Sequence, residues 1–221
     1  MKVSRLLPVL GLGLALLLAA CGGQTGGSGG GGGGGGAYTI SGQLQGWQPG
    51  WRLRGDLITF NPVPGSPNLP TRNLIPDIPV DSSGRFTLNL PDVPQDALSP
   101  VPPPENALPG CQVNLSLSPR DVRIAGLILV ASTGGGEIPY VLVSSSGMQA
   151  GYYFFVDRNF SLTGTATCQE GGVSFNLQYN VGQSRGWGYW EARVEQSGQA
   201  IRMFVESRAN PSPGLTWRPG Y

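Results

Sequence analysis

The chain has 221 residues, of which 14 are basic and 13 acidic, and it contains no histidine. Such a balance provides no basic surface for DNA or RNA, so nucleic acid is not expected as a partner. Without histidine, Ser-His-Asp and Cys-His nucleophile systems are excluded and the commonest metal ligand is missing. The sequence therefore predicts neither a metal site nor a cofactor. Few charges (12%) with 36 glycines and 20 prolines favour strands and turns over helices.

The first 20 residues have the pattern of an export signal. Lys2 and Arg5 give a positive start, and an apolar stretch follows from Leu6 to Ala20. At about 15 residues this stretch is shorter than the roughly 20 that a membrane-spanning helix needs. We expect residues 1–20 to be a signal peptide that is removed, which leaves 12 of the 14 basic residues against 13 acidic ones.

The end of the apolar stretch, Leu18-Ala19-Ala20-Cys21, resembles the lipobox of bacterial lipoproteins. The resemblance implies cleavage before Cys21 and attachment of acyl chains such as palmitate to that residue. One acyl chain binds a bilayer marginally, whereas two or three hold it durably. The predicted partner is thus membrane lipid, and the predicted location is the cell envelope. Gly22 in place of aspartate favours the outer membrane where one exists. The alternative is an ordinary secreted protein with a cysteine here by chance.

Residues 21–36 form a linker after the predicted cleavage site. From Gly22 to Gly36 only Gln24, Thr25 and Ser28 are not glycine. Such a segment has no side chains to bury and is expected to be a disordered tether with a root-mean-square span of roughly 20 Å. A phosphate-binding glycine loop would need a Gly-Lys-Ser/Thr ending, which is absent.

Two further cysteines, Cys111 and Cys168, remain for other roles. In an exported protein the simplest interpretation is one disulfide between them. The alternative is two free or metal-binding thiols, although the chain has neither a CxxC pair nor a histidine to complete a zinc site.

Residues 37–221 are predicted to form an all-β, antiparallel β-sandwich or partly closed barrel, either as one domain or as two lobes (37–110 and 111–221). Two proline-rich stretches, Asn61–Pro79 and Pro91–Pro109, are expected to be surface loops or extended covers. Ile124–Ala131 and Tyr152–Val156 are apolar without alternation, which indicates central strands covered on both faces. The predicted strands are Tyr38–Gln45, Trp51–Phe60, Arg85–Leu90, Gln112–Ser118, Val122–Ala131, Ile138–Ser144, Gln149–Asp157, Phe160–Cys168, Val173–Asn180, Trp187–Gln196 and Gln199–Ser207.

The last two predicted strands alternate clearly enough to suggest a register. A turn at Ser197-Gly198 pairs Val194 with Ile201, Ala192 with Met203 and Trp190 with Val205 on one apolar face. The opposite face, with Glu191 and Glu195, is then expected in water.

Two segments near the start of the domain resemble a carboxypeptidase-regulatory-like, transthyretin-like β module. They are Tyr38–Leu44, as a first strand, and Asp81–Pro91, as a turn entering a strand. The resemblance implies a small sandwich without catalytic residues over residues 38–91. The proline-rich insert before Val80 departs from that family.

Aromatic side chains supply the candidate ligand site. Trp187 and Tyr189 are expected on the solvent-exposed face of the sheet, beside Gly186 and Gly188. There their rings could stack on a sugar or a partner protein. The alternative is that an end loop, the proline-rich cover or the tail around Trp217 packs over them. Trp47 and Trp51 are expected to pack across the Pro49-Gly50 turn.

Carboxylates offer little for catalysis. Glu191 and Glu195 share a strand face, but four residues along a strand separate them by roughly 13 Å, too far for glycoside hydrolysis. A surface ion-pair role is expected for both. The sequence therefore favours a non-catalytic envelope lipoprotein that binds or has a structural role. A carbohydrate- or peptidoglycan-binding module is the second hypothesis, and a histidine-free carboxylate hydrolase is the third.

Overall fold

The computed structural model describes residues 38–58, 71–101, 110–170 and 172–220. The predicted signal peptide, Cys21 and the glycine tether lie outside these residues. Within them no helix is long and apolar enough to cross a membrane. The predicted all-β class is confirmed, with a 3₁₀ helix at Gln95–Ala97. The strands are β1 Tyr38–Gln43, β2 Arg52–Ile58, β3 Thr71–Ile78, β4 Arg85–Leu90, β5 Ser99–Pro100, β6 Gln112–Ser118, β7 Arg123–Thr133, β8 Gly136–Val143, β9 Gln149–Val156, β10 Phe160–Glu170, β11 Val173–Gln183, β12 Gly186–Ser197, β13 Ala200–Arg208 and β14 Thr216–Pro219.

Most strands belong to one large sheet with the order β3-β2-β7-β8-β9-β12-β13-β11-β10-β6, to which β5 adds at β7 and β14 at β8. β1 and β4 form a separate two-stranded sheet. Among the described strands, β11 and β13 pair in parallel and the other strand pairs are antiparallel. Because β2 pairs with β7, residues before and after position 110 share the large sheet.

The central strands separate two apolar cores. Phe154 of β9 and Trp190 of β12 pack together in the first core, with ring centroids 4.3 Å apart. Their neighbours Tyr153 and Tyr189 point to the opposite face and pack in the second core, with ring centroids 5.1 Å apart. Both faces of β9 are therefore buried, and the same holds for most of β7. The prediction of central strands covered on both sides is confirmed.

The segment that follows β4 is an extended cover, as expected for the second proline-rich stretch. Val93 and Leu98 are buried there against Ala125 of β7 and Phe155 of β9. Residues 102–109 of the same stretch lie outside the described residues.

The first proline-rich stretch is not wholly a loop, and the prediction is wrong for Thr71–Ile78. These residues form β3, which pairs with β2 at the edge of the large sheet. Pro76 is tolerated because its strand is an edge strand and the pairing register shifts nearby. Because of its exposed polar residues and this proline, the strand has no polar–apolar alternation in the sequence.

The final hairpin is present, but its predicted register is wrong by two residues. Val194 pairs with Met203 and Ala192 with Val205, so the two-residue loop is Gly198-Gln199. Gly198, with φ of 59°, takes the left-handed conformation that such a loop requires. A slip of two residues keeps each side chain on its own face of the sheet, so the apolar face is the one predicted.

The predicted disulfide is confirmed. Cys111 and Cys168 lie with their Cα atoms 4.4 Å apart and are joined through sulfur. Cys111 immediately precedes β6, and Cys168 is in β10, which pairs with β6. The bond therefore fastens β6 to β10, its neighbour in the sheet order of the described strands.

The two segments that carry the resemblance to a transthyretin-like module pair with one another. β1 and β4 align from Tyr38 opposite Leu90 to Gln43 opposite Arg85. β2 and β3, which lie between them in the chain, belong to the large sheet instead. Ile40, Phe86 and Leu88 from the small sheet are buried in the second core.

Candidate functional site

Trp187 and Tyr189, the candidate stacking residues, are not both exposed. Tyr189 is only 1% exposed, so the prediction that its ring faces water is wrong. Trp187 is half-buried: its indole Nε1 donates to the carbonyl of Pro91 at 2.7 Å, and its ring packs edge-on against Phe155. The indole N–H of Trp187 is thus already bound to the proline-rich cover.

Tyr189 is covered by the last part of the chain, residues 209–220, which we call the C-terminal strap. Within the strap, Trp217 stacks on Tyr153, which in turn contacts Tyr189. β14 pairs with β8, and the Gln45 N–H donates to the carbonyl of Trp217 at 2.9 Å. The Trp217 ring lies so close to Gly42 that a Cβ there would stand 2.6 Å from it. Glycine at this position therefore lets the strap close over the second core.

Glu191 lies on the same covered face, and its side chain is 2% exposed. Oε1 accepts from Gln149 Nε2 at 2.7 Å and from Ser212 Oγ at 2.7 Å. Oε2 accepts from the Tyr189 hydroxyl and from the Ser212 N–H, both at 3.1 Å. Arg208 Nε approaches Oε1 at 3.5 Å. The prediction that Glu191 has a surface ion-pair role is wrong, because the strap covers this face of β12 and buries the Glu191 side chain.

These contacts decide the charge of Glu191. Burial acts to raise the pKa of the carboxyl, but hydrogen bonds from Ser212, Gln149 and Tyr189 outweigh it, so the pKa lies below its usual value. Burial, together with the charge of Glu191, raises the pKa of the Tyr189 hydroxyl. Glu191 is therefore an ionised, fully hydrogen-bonded carboxylate that ties the strap to β9 and β12.

Glu195 remains on the surface, where it forms an ion pair with Arg193 at 3.5 Å. It lies directly opposite Arg202 in the hairpin, whereas Glu191 lies opposite Glu206. The two glutamates thus occupy different environments, and the structure does not bring them together as an acid–base pair.

Gly151 gives a direct test of the Glu191 network. It pairs with Glu191 across β9 and β12, and an added Cβ would stand 2.7 Å from the Cε2 of Tyr189. We expect Gly151→Ala to push Tyr189 away from Glu191 and to lower the free energy of unfolding by about 1 to 3 kcal/mol. Urea unfolding would measure the loss.

Gly182→Ala is the matched control, since a Cβ at this exposed strand position would meet nothing within 4 Å. Equal stability of the two variants would mean that Gly151 does not reserve space for Tyr189.

A second charged cluster joins β2, β3 and β8. Arg54 bonds through Nε to the buried carboxylate of Asp56 at 2.9 Å and through Nη2 to Glu137 at 2.8 Å. Asn73 of β3 also donates to Asp56, at 3.0 Å. The hydrogen bond from Arg54 lowers the pKa of Glu137. The Asn73–Asp56 bond joins the neighbouring strands β3 and β2, and the Arg54–Glu137 pair spans β7, which lies between β2 and β8. The cluster therefore fixes this edge of the sheet. No group of three metal-ligating side chains occurs among residues 38–58, 71–101, 110–170 and 172–220.

An open groove of about 410 Å³ lies where β1 ends beside the turn that precedes β4. Its walls are uncharged, and they come from three separate parts of the chain: Gln43, Leu44, Gln45, Gly46 and Trp47; Ser82 and Ser83; and Thr216 of the strap. We call it the Trp47 groove.

The turn that forms one wall of the groove is built by Asp81. Its Oδ1 accepts from the Ser83 N–H at 2.8 Å, from Ser83 Oγ at 2.7 Å and from the Arg85 N–H at 3.0 Å. Gly84, with φ of 81°, completes the turn, and a Cβ there would stand 2.8 Å from the Leu44 carbonyl and 3.0 Å from the Trp47 Cβ. Glycine therefore lets the two walls approach each other.

The Trp47 ring is held in place by a neighbouring tryptophan. Its ring packs edge-on against Trp51, with centroids 5.8 Å apart, as predicted for packing across the Pro49-Gly50 turn. The groove is absent from the predictions made from the sequence. Gln43, Gln45 and Trp47 share a strand parity that could have suggested a common face, but no local pattern predicts that Ser82, Ser83 and Thr216 meet them.

No protein-family model, curated protein or solved structure significantly matches this chain.

Proposed function

We propose that this chain is an exported, lipid-anchored cell-envelope protein whose β-domain is a non-catalytic binding or structural module. The observation that carries the proposal is Leu18-Ala19-Ala20-Cys21 at the end of a short apolar signal, a pattern that resembles the bacterial lipobox. Acyl chains on Cys21 supply the membrane affinity, and the glycine tether separates the bilayer from the domain. The outer membrane is the proposed location where the cell has one.

The disulfide supports export. Cys111 and Cys168 are bonded, and such bonds persist in oxidising compartments outside the cytoplasm. A non-catalytic role is supported by the lack of histidine and by the state of Glu191, whose carboxylate oxygens are occupied by protein donors rather than open to a substrate. An envelope protein or a glycan is the proposed partner of the domain.

The anchor is tested by replacing Cys21 in the full chain. We expect wild-type protein to sediment with membranes and to incorporate an alkyne-labelled palmitate, because acyl chains hold it there. Cys21→Ala is expected to lose the label and to leave the membrane fraction after a carbonate wash. Fractionation and in-gel detection of the label measure both effects.

Gly22→Ala is the matched control, since it changes a neighbouring residue and retains the sulfur. A Cys21→Ala protein that stays in the washed membranes as fully as wild type, or an unlabelled wild-type protein, would refute the anchor.

A further inference from the structure

We propose that the Trp47 groove binds an uncharged saccharide. None of the residues that line it carries a charge, although the groove is bordered by hydroxyl and amide side chains. An ionic ligand would find no countercharge on these walls. A neutral polyhydroxylated ligand matches them, since hydroxyl groups both donate and accept.

The aromatic wall suits the apolar face of a sugar ring. Trp47 is half-buried, and its edge-on contact with Trp51 fixes the orientation of the indole. A flat ring held in this way offers a stacking surface at little entropic cost. Within the described part of the chain the indole Nε1 of Trp47 has no hydrogen-bond partner, so it can donate to a ligand.

The polar wall presents hydrogen-bond acceptors. Gln43 Nε2 donates to the Ser83 carbonyl at 2.9 Å, and Gln45 Nε2 donates to Thr216 Oγ1 at 3.4 Å. The shorter bond orients the Gln43 amide and the longer one holds the Gln45 amide less firmly, while the Oε1 atoms of both residues have no partner among the described residues. The Ser82 hydroxyl is likewise without a partner there. Two amide oxygens and a hydroxyl beside an indole form the combination of polar and aromatic groups that small-ligand sites use.

Asp81 and Arg218 are charged residues adjacent in sequence to groove residues, and other groups of the protein bind both of them. In the turn before β4, Asp81 accepts hydrogen bonds from Ser83 and from the Arg85 N–H. These bonds lower the pKa of the Asp81 carboxyl. Arg218 donates through Nε to Thr216 Oγ1 at 3.0 Å. Neither side chain lines the groove, which again favours a neutral ligand over a phosphate or a carboxylate.

The groove is also separated from the start of the described domain by the length of β1. It lies at the end of β1 away from Tyr38, where the described chain begins, and five residue steps along a strand span about 17 Å. If the chain enters from a lipid anchor, as in the proposed function, the groove lies at the far end of β1 from the tether. Saccharide binding in solution does not depend on that anchor, so the two proposals can fail separately.

The test uses the full-length protein in detergent micelles. The probes are a β-1,4-linked tetramer of N-acetylglucosamine and cellotetraose, followed by isothermal titration calorimetry and saturation-transfer NMR. We expect at least one tetrasaccharide to bind, and Trp47→Ala to lower its association constant about tenfold because the stacking surface is lost. Trp187→Ala, which removes a half-buried tryptophan elsewhere, is expected to bind like wild type.

A second variant guards against misfolding of Trp47→Ala. Ser82→Tyr places a bulky side chain on an exposed turn residue of the groove wall without altering Trp47, and it is expected to block binding while the thermal unfolding curve stays unchanged. The proposal is overturned if neither tetrasaccharide binds at millimolar concentration, if the folded Ser82→Tyr protein binds like wild type, or if Trp187→Ala loses as much affinity as Trp47→Ala.

Discussion

Replacing Trp217 by alanine is expected to lower the free energy of unfolding by about 3 to 5 kcal/mol. The indole is 6% exposed and is the part of the C-terminal strap that enters the second core. It stacks on Tyr153 and packs edge-on against Phe86 of the small sheet. Its loss leaves a cavity between the strap, the small sheet and the large sheet. None of these three parts can fill the cavity without moving relative to the others.

Guanidinium chloride unfolding followed by circular dichroism measures this effect. Trp187→Ala is the control, because the same side-chain type is removed from a half-buried position. We expect a clearly smaller loss for the control. If Trp217→Ala cost no more than Trp187→Ala, the strap would not hold the two sheets together.

Replacing Glu191 by alanine is also expected to be destabilising, by about 2 to 4 kcal/mol, because several hydrogen-bond donors lose their acceptor at once. The substitution leaves the Tyr189 hydroxyl, the Gln149 amide and the Ser212 N–H as donors without their acceptor. The Tyr189 hydroxyl is buried and carries the full cost of lost hydration, whereas the half-buried Gln149 and Ser212 donors carry part of it. Glu195→Ala is the control, since Glu195 is exposed and such changes stay within about 0.5 kcal/mol. Similar stabilities for the two variants would show that Glu191 does not organise the strap.

The same network predicts a pH dependence. The folded pKa of Glu191 lies below its ordinary value of 4.5, so its stabilising contribution is complete above pH 4.5 and is lost as the pH falls through the folded pKa. Glu191→Gln cannot titrate at this position. We expect wild type to lose more stability than Glu191→Gln between neutral and strongly acidic pH.

Local patterns predicted much of this fold. The bounds of β4 and β6 agree with the predicted strands, because each alternates cleanly between polar and apolar residues and ends at a proline or serine. The unbroken apolar runs of β7 and β9 likewise predicted burial on both faces. Where the polar–apolar pattern of a strand matches its burial, the sequence is sufficient to predict that strand.

Apart from the hairpin register, which the local conformation of Gly198 sets, the failures have one physical cause, which is contact between distant parts of the chain. Tyr189 and Glu191 have the alternation of a hairpin with one wet face, but the strap and the small sheet cover that face. β3 lacks alternation because its polar side chains lie on an edge and bond to β2, as Asn73 does to Asp56. The Trp47 groove also needs three remote segments to meet. Local periodicity contains no information on such layers.

The central claim is that lipid on Cys21 fixes this β-protein to a membrane, and intact-mass spectrometry of the native protein tests it most directly. The predicted result is a chain that begins at Cys21, lacks residues 1–20 and carries the added mass of two or three acyl chains on its first residue. An unmodified Cys21 thiol, or a chain that retains residues 1–20, would contradict the account.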